Sequence, residues 1–220
     1  MNKKEAIEKI VNIPDGQVNM IGSLEIPAGA TGIVVFAHGS GSSRHSPRNN
    51  YVAAILRSHG LGTLLLDLLT VGEDTDYEMR FNINLLARRM LSTTKWLQEQ
   101  DDTNRLNIGY FGASTGAAAA LQTAAILGDQ ISAIVSRGGR PDLAWPYLKN
   151  VKSPTLLLVG GNDGVVIELN KKAYNEINAV KQMDVIPGAT HLFEEPGTLE
   201  TVAELAANWF VKYLFRHKPE

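Results

Sequence analysis

Cysteine is absent from the 220-residue sequence, which excludes disulfides, thiolate nucleophiles and cysteine-ligated zinc and fits a reducing compartment. A basic excess is absent too: 21 Lys and Arg face 23 Asp and Glu, for a formal net charge of -2. Nothing in that balance would hold a phosphate backbone, so no nucleic acid partner is expected. No apolar run approaches the roughly 18 residues of a membrane span, and the opening segment MNKKEAIEKIVNIPDG has no continuous apolar stretch. The expectation is a cytoplasmic protein without a membrane partner. Repeats, low-complexity tracts and proline-, glycine- and serine-rich linkers are also missing, so residues 1–220 read as a single domain.

What is present is a succession of short apolar runs, rich in β-branched residues and bounded by glycine or charge. They lie at 32–38, 61–69, 106–112, 131–136, 154–161 and 182–188. Most are nearly continuous in apolar character, as strands of a parallel sheet covered on both faces must be. Helical periodicity fills 49–59, 79–100, 114–127, 165–178 and 198–216. In the last of these Val202, Ala206, Trp209, Phe210 and Tyr213 share one stripe, which reads as core. The alternating stretch QVNMIGSLEIP, 17–27, reads as an exposed antiparallel edge hairpin ahead of the first parallel strand. Together these give an α/β fold, helices on both sides of a mostly parallel sheet. In such sheets ligands bind at the carboxyl ends of the strands. The loop GSGSSRHSPRN (39–49), the turn at Ser114 and the loops after Gly161 and Gly188 should therefore converge.

A serine hydroxyl is a poor nucleophile until a base takes its proton, a carboxylate fixes that base in one tautomer, and donors await the oxyanion. GASTG, 112–116, matches G-x-S-x-G, follows a strand and opens an alanine-rich helix, which is the setting in which that pattern presents its serine. Taken alone, the pentapeptide is equally compatible with a plain helix cap. Asp163 in GGNDG follows one later strand, and His191 in GATH follows the next. The order Ser114, Asp163, His191 is the chain order of the α/β-hydrolase triad. The Thr115 amide and one from the loop after the first parallel strand would form the oxyanion hole. The Ser40 amide is the candidate there, with Gly39 and Gly41 as alternatives.

The segments HGSGSSRHSPRN, FGASTGAA, SRGGRPDLA, LLLVGGND and GATHLFEEPGTLE together resemble the α/β-hydrolases related to dienelactone hydrolase. The resemblance is closest to a bacterial branch sometimes found fused to phosphoribosyltransferases, and it covers the chain from about Gly32 onward. It implies an α/β-hydrolase fold with a mostly parallel sheet of about eight strands, a minimal or absent cap domain, and Ser114, Asp163 and His191 as the triad. The dienelactone hydrolases proper carry cysteine at the nucleophile position, so carboxylesterase activity on small or medium acyl esters or lactones is the better expectation for this serine chain. The small-molecule ester would be its only partner besides, as monomer or homodimer, a copy of itself.

Other residues carry weaker signals. His38 reads as structural, bonding the HGSG loop. Arg44 and Arg137 are candidates for binding a substrate carboxylate, with Arg48 and Arg140 less favoured, although arginines also tie loops to carbonyls. Glu194 and Glu195 follow His191 closely and read either as orienting that loop or, by default, as caps of the last helix. Trp145 and Tyr147 read as an apolar wall or as core. The acidic run GEDTDYE, 72–78, lacks EF-hand spacing and reads as a solvated loop, and no histidine pair has zinc spacing. No metal or cofactor is expected. Nucleotide binding fails on spacing: Gly109, Gly112 and Gly116 do not make G-x-G-x-x-G, and theirs is not the first βα unit. An acyltransferase using the same triad and a non-catalytic binding module are the remaining alternatives.

Overall fold

The computed structural model describes residues 5–215. Strands β1 (Ile7–Asp15) and β2 (Val18–Ile26) pair as an antiparallel hairpin. Strands β3 (Gly32–Ala37), β4 (Gly62–Leu66), β5 (Asn107–Ala113), β6 (Ile131–Arg137), β7 (Thr155–Gly160) and β8 (Lys181–Ile186) are mutually parallel, and β2 joins them antiparallel to β4. The order across this eight-stranded sheet is β1-β2-β4-β3-β5-β6-β7-β8. Every residue of β3, β4 and β7 is buried, which accounts for their unbroken apolar character. The outer strand β8 keeps Lys181, Gln182 and Asp184 partly or fully exposed, polar groups that blunt an edge.

Five helices flank the sheet: α1 (Pro47–Ser58), α2 (Ile83–Glu99), α3 (Thr115–Leu127), α4 (Gly164–Glu176) and α5 (Thr198–Leu214). Alternation along β3 divides the core. Val34 and Phe36 join Val52, Leu56 and Phe210 from α1 and α5, whereas Ile33 and Val35 join Leu86, Met90 and Leu121 from α2 and α3. The chain leaves β3 through α1 to β4, then returns through α2 to β5 on the other side of β3. This reversal of winding puts the carboxyl ends of β3 and β5 beside the crevice where open α/β sheets bind ligands.

The expected boundaries shift where caps decide them. Ser46 accepts from the Asn49 amide and Pro47 fills the first turn, so α1 begins before Asn49. The 79–100 helix is broken: Met79–Phe81 is a 3-10 turn, and Asn82, accepting from the Leu85 amide at 3.0 Å, starts α2. The 17–27 stretch is not a hairpin by itself. It is strand β2, whose partner is the preceding segment Ile7–Asp15. The stripe Val202, Ala206, Trp209, Phe210 and Tyr213 is buried as expected, while the extension of that helix to Arg216 lies outside the described residues. Pro141–Asn150 is a kinked 3-10 run whose buried members include Ala144 and Leu148; Trp145 is exposed and is not core.

Candidate active site

Ser114 sits between β5 and α3 with φ 51° and ψ -118°, a backbone conformation costly for a residue with a Cβ. The flanking glycines make the turn sterically feasible. A Cβ on Gly112 would lie 2.4 Å from Ala117 Cα, and one on Gly116 would lie 2.1 Å from the Ala37 carbonyl oxygen. The turn is also bonded in place: the Ser114 amide donates to Arg137 O at 3.2 Å, and Ser114 O accepts from the Ala117 and Arg140 amides, each at 3.1 Å. Ser114 Oγ makes no hydrogen bond among the described residues.

Asp163 immediately precedes α4, and His191 lies in the loop between β8 and α5. The two meet: His191 Nδ1 and Asp163 Oδ2 are 2.7 Å apart, Asp163 being the better buried of the pair. That contact assigns Nδ1 as donor and leaves Nε2 for another partner. The His191 ring borders the strand end that supports Ser114, since a Cβ on Gly138 would lie 3.5 Å from His191 Cε1 and Gly138 follows Arg137.

The loop holding the base is braced from within. Glu195 accepts from the Thr190 amide at 3.0 Å and from Thr190 Oγ1 at 2.6 Å, and these bonds hold its carboxyl below the ordinary glutamate range. Glu194 receives Arg48 at 2.6 Å. Neither glutamate caps α5: its first turn is entered through Gly197, and Thr198 Oγ1 donates to Glu195 O. The alternative sequence reading of these glutamates, that they orient the His191 loop, is the one that fits Glu195; the bond from Asn162 to the Gly188 carbonyl was missed, because it depends on how two loops meet.

Beside Ser114 lies the loop after β3. A Cβ on Gly39 would come within 3.1 Å of Ser114 Cβ, so this loop abuts the serine directly. His38 bridges it to the end of β4: Nδ1 meets Gly39 O at 2.9 Å, and Nε2 accepts from the Leu68 amide at 3.2 Å. Burial pushes the His38 pKa down, keeping the imidazole neutral for that two-sided bridge. The structural reading of His38 thus has a definite geometry. Ser40, Gly41 and Thr115 line a small recess together with His38, Leu69, Asp74, Arg80 and Leu86, with only about 10 Å³ of room for a water-sized molecule. Thr115, in the first turn of α3, belongs to the part of a helix whose amides lack intrahelical acceptors. Ser40 N–H has no acceptor among the described residues.

The loop arginines are differently placed. Arg44 is engaged: its amide donates to Asp67 at 2.7 Å and its guanidinium pairs with the same carboxylate, tying the loop to the end of β4. Arg140 is paired with Asp142 at 2.7 Å. Arg137 is buried with its guanidinium 6.0 Å from the Phe193 ring centre, and its Nε and Nη1 have no hydrogen-bond partner among the described residues. Burial, with Arg48 adding repulsion, lowers its pKa to about 10. The acidic run is solvated only in part. Residues 75–78 are exposed, but Glu73 turns inward to buried Arg89 at 2.6 Å, and Asp74 reaches the recess. Their partners lie on α2 and beyond the run, so no local pattern announces them. Among the described residues, no group of three or more His, Cys, Asp or Glu is placed to hold a metal ion, and no helix is long and apolar enough to cross a membrane.

Comparison with known proteins adds the lineage. A crystal structure of a dienelactone hydrolase from Anabaena variabilis is 52% identical, superposes with a TM-score of 0.93, and matches 96% of this chain and 100% of that one. Est1E from Butyrivibrio proteoclasticus, solved with ferulic acid bound, shares the fold at 16% identity with a TM-score of 0.81, over 94% of this chain and 100% of that one. Two Mycobacterium tuberculosis proteins named phosphoribosyl transferases are each 56% identical over 204 residues, 93% of this chain. The chain spans only 46% of their length, which accords with the fused branch that the sequence resembles. Residues 20–217 match the model of one family. The chain belongs to the dienelactone hydrolase family.

Proposed function

We propose that the protein is a serine hydrolase of the carboxylesterase kind, cleaving small or medium acyl esters or lactones through an acyl-enzyme on Ser114. The observation that carries this reading is the 2.7 Å contact of His191 with Asp163, beside a serine held in a strained turn at the head of α3. In this reading His191 Nε2 takes the Ser114 proton as Oγ attacks the acyl carbonyl, and Asp163 keeps Nδ1 protonated and stabilises the imidazolium. The amides of Thr115 and Ser40 receive the oxyanion. His191 then returns the proton to the leaving alkoxide, and a water deprotonated by the same imidazole releases the acid.

Support also comes from family membership and from solved structures of the same fold that include a dienelactone hydrolase and an esterase. Serine in place of the thiolate nucleophile needs its base more, since a hydroxyl is far from ionised at neutral pH. Hydrolysis of a panel of p-nitrophenyl esters and lactones tests the reading. Turnover by the native chain, abolished in His191→Ala, is the expected result. Absence of turnover for every ester and lactone by well-folded protein would contradict it.

A further inference from the structure

Strand β8 ends the sheet on one side and has β7 as its one neighbour among the described residues. The Val180 and Ile186 carbonyls accept from the Thr155 and Gly161 amides, each at 2.8 Å, so the even-numbered residues of β8 turn their backbone groups towards β7. The N–H and C=O groups of Lys181, Met183 and Val185 therefore point away from the sheet, in a row that no described strand meets.

The side chains divide as regularly. Met183 and Val185 face α4, where they line an open groove of about 400 Å³ with Tyr174 and Asn175, and Val185 is 43% exposed. Ile186 joins the core beside α5, so Gln182 and Asp184 lie on that face, where Gln182 donates to Asp184 at 2.7 Å. We infer that this edge pairs with β8 of a second copy of the chain, antiparallel about a two-fold axis at Met183, so that one sheet runs through both protomers.

Charge and backbone together select that register. Antiparallel partners share a face, so a two-fold axis normal to the sheet must set one residue of β8 against its own copy. Lys181 or Asp184 in that place would oppose like charges. Val185 there would bring Pro187, which has no N–H, into the ladder, and Gln182 there would set Val185 opposite Ala179, outside the strand. Met183 at the axis engages all three outward residues, with Lys181 against the partner's Val185. It also sets each Asp184 carboxylate against an amide donor, the partner's Gln182. The polar groups of this edge thus oppose indiscriminate pairing and permit one register. That self-complementarity commits the edge to a second copy rather than to an unrelated strand, and a two-fold contact closes as a dimer without growing into a fibre.

Sedimentation velocity at about 100 μM, where a small interface with a micromolar Kd is formed, should give the native chain twice its 23.9 kDa. Because the chain has no cysteine, introduced thiols report the register. Under mild oxidation Met183→Cys should form a covalent dimer, since Cα atoms opposed in a hydrogen-bonded antiparallel pair stand about 5.5 Å apart, within disulfide range. Gln182→Cys should not, because this register holds the two copies of residue 182 about 8 Å apart. Val185→Pro removes an outward N–H and no bond to β7, and should sediment as a monomer with a native circular dichroism spectrum. A native chain that stays monomeric at that concentration overturns the inference and leaves the edge to a strand of another protein. A dimer in which Met183→Cys fails to crosslink, or Gln182→Cys crosslinks in its place, also overturns it. Should Val185→Pro fail to fold, the two cysteine variants still decide.

Discussion

Asn162 donates its side-chain amide to the Gly188 carbonyl at 2.9 Å, while its backbone amide donates to Ala189 at 2.9 Å. The loop carrying Asp163 is thereby joined to the loop carrying His191 by two bonds just ahead of the carboxylate–imidazole contact. A Cβ on Gly160 would stand 2.5 Å from the carbonyls of Ala189 and Thr190, so the two loops are also in backbone contact. The alignment of acid and base is built into the approach of two strand ends.

From this joining follows the first prediction. Asn162→Ala removes the side-chain bond and keeps the backbone one, which should cost about 1 kcal/mol of stability or less. Its larger effect should fall on kcat, severalfold down with KM little changed, because the imidazole loses orientation and substrate contacts are untouched. Steady-state kinetics on one ester, with a urea titration of the same variant, separates the two effects.

Strain at the serine supplies the second. A residue with a Cβ held at φ 51° and ψ -118° stores about 1–3 kcal/mol that glycine would not. Ser114→Gly should therefore abolish ester turnover and raise the unfolding midpoint. Calorimetry of the two proteins decides: a variant less stable than the native chain would mean that the turn is not strained.

His38 sets a pH dependence of stability. Its folded-state pKa lies below the ordinary histidine value because burial disfavours the cation, so below about pH 6.5 the unfolded chain takes up a proton that the folded chain refuses. The contribution of neutral His38 is fully present above that pH and is lost as pH falls, by at most about 1.4 kcal/mol per pH unit for this one group. Denaturant titrations at pH 7.5 and 5.5 should show the native chain losing more stability than His38→Gln over the same interval.

The parts of this fold that a reader of the sequence could find are those with local causes. Gly112 and Gly116 flank Ser114 because the turn itself needs them, and β3, β4 and β7 are continuous apolar runs because both their faces are covered. The hairpin partner Ile7–Asp15 was hidden for the opposite reason. As an outer strand it buries only Val11 and Ile13, too few positions to stand out as a period. Asp74 and Arg80 were hidden because burial of Arg89 on α2, not any local pattern, turns the acidic run inward. Arg44 and Arg137 were indistinguishable in the sequence; the structure separates them through Asp67, which pairs Arg44 and has no counterpart at Arg137 among the described residues.

The most direct test of the account is the site of covalent capture by a fluorophosphonate. Mass spectrometry of the labelled native chain should find the adduct on the peptide containing Ser114, and Ser114→Ala should take up no label. Labelling of Ser114→Ala at the native rate would contradict the nucleophile assignment and the esterase reading built on it.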